Sequence, residues 1–208
     1  MRLKSAADQI FHCVDTGEDV SKSSAVSYHE AISMYQEAIR IFQTDPNQVS
    51  RVVSCKLSVA LSFAKLDEWA HCVTHCNDVV SIIGTLNEDT YPLDMIRARY
   101  MALFALLRQR KIPESHTVTS TVSAGNGNGE CTQHAHALRR LIQQHRSAIS
   151  DKDMSDYEYV LRQVGVDLTA SCSAAERMHV PTAGEPLQPA TAGGNWKHVR
   201  PHVQYICN

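Results

Sequence analysis

SYHEAISMYQEAIRIF, residues 27–42, sets Ala31, Tyr35 and Ala38 at offsets 0, +4 and +7, and the pattern returns downstream. In DEWAHCVTHCNDVVSI, residues 67–82, Cys72, Cys76 and Val79 hold the same offsets, with Trp69 standing where Tyr28 stands. Residues at these spacings share one helical face. A stripe of small, medium and small side chains lets a second helix approach closely. Each stretch therefore reads as the second helix of a helix–turn–helix unit, and repeated units of that kind predict a binding scaffold and not a catalyst.

Composition narrows the class further. The formal charge of −2 leaves no basic stripe for neutralising phosphates, which argues against a nucleic-acid partner. The apolar runs fall short of the roughly 20 residues that span a bilayer, so no membrane partner is expected. At the start, MRLKSAADQIF places Lys4, Asp8 and Gln9 inside what would be a signal's apolar core, and a cytoplasmic location is expected. Seven cysteines, at 13, 55, 72, 76, 131, 172 and 207, are odd in number and show no disulfide framework. Most lie in apolar helical contexts, where a free thiol behaves as a small hydrophobe.

Outward from the repeated stripe, the periodicity predicts a helix over 3–14 and a polar connector over 15–26. Ser27 and Glu30 have capping-box spacing for a helix running to Phe42, which stops before Asp45-Pro46. Helices are expected at 48–65 and 68–83, joined by the Lys65–Glu68 turn, with Gly84 as a stop. Pro92 marks the start of another at 93–109. A Ser/Thr/Gly/Asn stretch, 114–130, reads as a flexible linker loop. Helices return at 131–149 and at 155–164, the second capped by Ser155. Beyond 166, Pro, Gly, Ala and Thr predict a disordered tail to 208. The expected fold class is all-α, with a repeat domain over 3–113 and C-terminal capping helices over 131–165.

With these pairs laid out, the chain resembles a tetratricopeptide-repeat (TPR) protein. YHEAISMYQEAI matches that family's second helix; LSVALSFAKLDEWAHCVTHCNDVV supplies both helices of a second repeat, with Ala60 and Phe63 at the small and aromatic positions. IRARYMALFALLRQRKI gives the first helix of a third, whose second helix is missing or displaced by the Ser/Gly insertion. The resemblance implies antiparallel helix–turn–helix repeats stacked in a right-handed superhelix. The copies stand 41 residues apart against a family spacing of about 34, so the linkers are extended. That feature and AKLDEWAHCVTHCN are most similar to the TPR modules of immunophilin-type co-chaperones. Those modules grip the C-terminal Glu-Glu-Val-Asp of heat-shock chaperones in a two-carboxylate clamp. Carried over residue by residue, Lys4 matches the first Lys, Asp8 replaces an Asn, Ser58 replaces a second Asn, Arg97 stands for the second Lys and Met101 replaces an Arg. Two of three cations remain, and Asp8 would repel a carboxylate. No β-rich isomerase segment is present, so no isomerase activity is carried over.

Other constellations read as structure. His71 and His75 share one helix face, and Cys72 and Cys76 another, each at i, i+4. Adjacent residues diverge by about 100°, so the four cannot converge on one ion as a Cys/His zinc site would require. The expected reading places the thiols in the buried stripe and the imidazoles outside. Cys131, His134, His136 and His145 read as solvated helix surface. Asp151, Asp153 and Asp156 lack the glycine and terminal glutamate of an EF-hand and read as a helix start. GNGNG, 125–129, lacks the context of a phosphate cradle. Arg97, Arg99, Arg108, Arg110 and Lys111 gather on one helix and could line a groove for an acidic peptide. The expectation is a non-enzymatic scaffold, without cofactor or metal, that grips a partner's peptide or helix through Lys4, Arg97 and Ser58. Two alternatives stand beside it: a degenerate co-chaperone binding a chaperone tail, and a Cys/His metal-binding regulatory protein.

Overall fold

The structure, a computed structural model, describes residues 2–16, 24–86, 88–111 and 127–168. Among them it is all-α: α1 (Arg2–Thr16), α2 (Ser24–Phe42), α3 (Val49–Lys65), α4 (Trp69–Leu86), α5 (Pro92–Lys111), α6 (Gly127–Gln144) and α7 (Asp151–Gln163), with short 3₁₀ turns at Pro46–Gln48, Glu88–Thr90 and Arg146–Ala148. No described helix is long and apolar enough to cross a membrane. The seven helices belong to one compact unit that ends at Asp167. Most of the connector before α2, the insertion over 112–126 and the tail from 169, with Cys172 and Cys207, lie outside the described residues.

Each helix from α1 to α5 packs along the next in the chain, α3 also meets α5, and α7 packs on α5. Contacts within pairs show them to be antiparallel. Phe11 meets Tyr28, while the earlier Asp8 meets the later Tyr35. Phe63 stacks on His71 and the earlier Lys56 pairs with the later Asp78. The stripe explains the close approach: Ala31, Tyr35, Ala38, Cys72, Cys76 and Val79 are all buried. α3 is the central element, buried at every position from Leu57 to Phe63, as expected of a helix covered on several sides.

Helix ends follow their caps. α3 closes with Glu68 N–H donating to the Phe63 carbonyl at 2.9 Å while Asp67 takes the left-handed conformation, φ 59°. This six-to-one bond is a Schellman motif. α7 ends in the same way, with Gly165 at φ 74° and Val166 N–H donating to the Leu161 carbonyl at 3.0 Å.

Several expected boundaries are corrected. α2 begins at Ser24, so Ser27 lies inside the helix, buried, and is not its cap. α4 runs through the exposed Gly84 to Leu86. Residues 127–130, assigned to the linker loop, open α6. Its helical run ends at Gln144, before a 3₁₀ turn and not at 149. For α7 the cap is Ser150, whose hydroxyl accepts from the Asp153 amide at 3.2 Å, and Ser155 stands inside the helix. Ser150 wins because it precedes Asp151 and Asp153, which the positive end of the helix dipole favours in the first turn.

Candidate interaction surface

The five positions carried over from the clamp do not converge on a common surface. Lys4 Nζ lies 2.7 Å from Asp8 Oδ2, one turn along α1, and the other Asp8 oxygen accepts the Tyr35 hydroxyl at 2.7 Å. Asp8 thus occupies the cation and ties α1 to α2. Ser58 is 0% exposed, and its hydroxyl donates to the Ser54 carbonyl at 3.1 Å. Met101 is 5% exposed and belongs to the core. Arg97 is the more exposed of the two cations: its guanidinium is partly exposed and 3.6 Å from Asp94. Burial raises the Asp94 carboxyl above its usual range, and Arg97 opposes that rise.

The other basic residues of α5 separate by face. Arg99 turns to α6, with Nη1 3.4 Å from His134 Nδ1. Arg108 lies over the rings of Trp69 and Phe104, 5.6 and 5.3 Å from their centroids, a cation–π arrangement that holds α5 against the start of α4. Arg99 and Arg108, half a turn apart around the helix, therefore do not line one groove, whereas Arg97 and Arg108 share a face.

The thiols of Cys72 and Cys76 are buried together. A hydrogen bond to Cys72 and burial push the Cys76 thiol well above its ordinary value. His71, exposed, sets Nδ1 as donor 2.9 Å from Glu68 Oε2, and the same carboxylate lies 3.9 Å from His29 on α2. His75 is half-buried, a correction to its expected outward position. Both imidazoles stack on Phe63, at 4.9 and 5.5 Å between centroids. Burial lowers the His75 pKa, and Lys56 and His71 add to the effect. Among the described residues no group of three or more His, Cys, Asp or Glu side chains is placed to hold a metal ion.

The helix expected to be solvated hides the principal polar cluster. His134 is 3% exposed and Cys131 is buried beside it; these two positions are corrected, while His136 is exposed. Asn77 on α4 donates to Glu130 Oε1 at 2.9 Å, Glu130 lies 3.9 Å from His134 Nε2, and Arg99 approaches the other ring nitrogen. Burial, then the nearby Arg99, lowers the His134 pKa to about 4, against the pull of Glu130. Burial raises the Cys131 thiol. A nucleophilic thiolate with an imidazolium partner would need both shifts reversed. The cluster is a polar seam joining α4, α5 and α6. Sequence spacing gave only Cys131 and His134 at i, i+3; the partners come from helices that the local pattern cannot place.

A second buried group sits at the α5–α7 contact. The rings of Tyr100 and Tyr157 lie 4.9 Å apart between centroids, and the Tyr100 hydroxyl is buried without a hydrogen-bond partner among the described residues. Burial and the neighbouring Asp156 raise its pKa; Tyr157 is pushed up to about 12, chiefly by burial. Comparisons with protein-family models, with curated proteins and with solved structures found no match.

Proposed function

We propose that this chain is a scaffold of tetratricopeptide type that binds a peptide or helix of a protein partner and performs no catalysis. In this reading α1–α2, α3–α4 and α5–α6 are three pairs and α7 caps the last. The observation that carries it is the contact of α3 with both α4 and α5. First helices of successive pairs then adjoin, which is how stacked pairs build a continuous binding face. The repeated buried stripe supports the same arrangement. Arg97 is the anchor proposed on that face, and an extended acidic segment is the matching occupant. A reducing, cytoplasmic setting belongs to the same proposal.

The chaperone-tail alternative is less favoured, since Ser58 and Met101 are buried and Lys4 is engaged by Asp8. Selection of acidic peptides from a displayed library tests the scaffold reading. It expects enriched sequences whose binding falls in Arg97→Glu with helical circular dichroism unchanged. No enrichment, or binding indifferent to Arg97, would speak against it.

A further inference from the structure

At the open end of the α1–α2 pair, Arg2, Leu3, Lys4, Ala38, Ile41 and Phe42 line a pocket of about 300 Å³. Its floor is apolar: Ala38 and Phe42 are buried, whereas Ile41 is 47% exposed, one of few large apolar side chains left in solvent among the described residues. Its charged lining is wholly cationic. Lys4 is shared with Asp8 at 2.7 Å, and Arg2, exposed, has no ion-pair partner among the described residues. The Arg51 guanidinium lies 5.7 Å from the centre of the Phe42 ring. The volume lies at the lower bound of ligand pockets, which run from about 300 to 1,000 Å³. It suits one large side chain with its flanking backbone and is small for a nucleotide cofactor.

The geometry points to a second anchor site, in which a partner segment seats a large aliphatic side chain on Leu3, Ile41 and Phe42 and sets an adjacent acidic side chain on Arg2. Charge complementarity selects the occupant: a basic neighbour would meet Arg2 and Lys4, while an acidic one complements Arg2. The site deepens the scaffold reading and rests on it. Arg97 is not among its lining residues, so one partner could use both anchors and gain from their linkage.

Methyl NMR of the full chain tests the site, with acetyl-Glu-Leu-Glu-amide as probe and acetyl-Lys-Leu-Lys-amide as its charge-reversed control. The acidic peptide is expected to shift the Leu3 and Ile41 methyl resonances saturably, and the basic one is not. Arg2→Glu should weaken the acidic peptide about five-fold and admit the basic one, and Ile41→Asp should abolish both responses. Both positions are exposed enough that folding is not at stake. Equal responses to the two peptides, or unmoved Leu3 and Ile41 methyls, overturn the site. If shifts appear near Arg97 with Leu3 and Ile41 unmoved, the scaffold reading stands and this site falls. No response anywhere counts against both.

Discussion

The Tyr35 hydroxyl donates to Asp8 Oδ1 at 2.7 Å, joining the central residue of the repeated stripe to the position where the resembled family carries a ligand-gripping Asn. One carboxylate thereby serves two ends, because its second oxygen holds Lys4. Asp8 is thus engaged on both oxygens in internal structure.

Asp8→Asn separates these roles. Loss of a charge-assisted pair of bonds at a partly exposed site should cost about 1 kcal/mol, after allowance for solvent screening. It should also release Lys4. Urea denaturation is expected to show the small loss, and affinity for acidic peptides is expected to rise. A variant that is destabilised with no gain in affinity would mean that Lys4 is not a binding residue even when released.

An asparagine at position 58 should do harm without benefit. Ser58→Asn places a larger amide where the structure leaves no exposed surface, and overpacking of this kind costs about 1–3 kcal/mol. Thermal melting should fall by several degrees, with acidic-peptide affinity unchanged or lower. A tighter-binding, equally stable Ser58→Asn chain would restore the clamp interpretation.

The α3–α4 turn offers a stabilising change. Asp67 holds φ 59°, a conformation that costs a residue with a side chain more than glycine. Asp67→Gly should therefore raise stability by about 0.5–1 kcal/mol, and Asp67→Val should lower it by more. Paired chemical-denaturation midpoints measure both; a destabilised Gly variant would show that the Asp67 side chain supports the turn.

His134 gives the protein an acid-sensitive component. Its folded pKa, about 4, lies below the usual value of about 6.5 for an unfolded chain. Between these values the unfolded chain takes up a proton that the folded chain refuses, so stability falls as pH falls and levels off below 4. The shift corresponds to about 3 kcal/mol at most. His75 shifts in the same direction and adds to the slope. Denaturation from pH 7 to pH 4 should show a shallower loss in His134→Gln than in the parent, whatever the variant's stability at pH 7. Identical slopes would show that the imidazole is not buried neutral.

Local pattern recorded the helices well and their neighbours poorly. The stripe at Ala31, Tyr35 and Ala38 declares itself because a 3.6-residue period is a property of one segment, as is the Asp45-Pro46 stop. Cap positions were less legible: Ser27 and Ser155 have capping spacing, but a serine within reach of a helix start competes with others upstream, and Ser150 prevailed. Exposure was least legible. His134 was read as solvated and is buried, since its fate depends on α4 and α5, and Ser58 was read as a contact position although α3 is covered on several sides.

By itself, then, the sequence determined the helical segments found among the described residues and the small-residue stripe, both of which follow from spacing within a turn or two. Tertiary structure alone decided which polar groups meet: Asp8 with Tyr35, Asn77 with Glu130, Arg99 with His134. These partners stand 27, 53 and 35 residues apart. Their contact depends on how helices approach one another, which the packing of whole faces sets and no local spacing records.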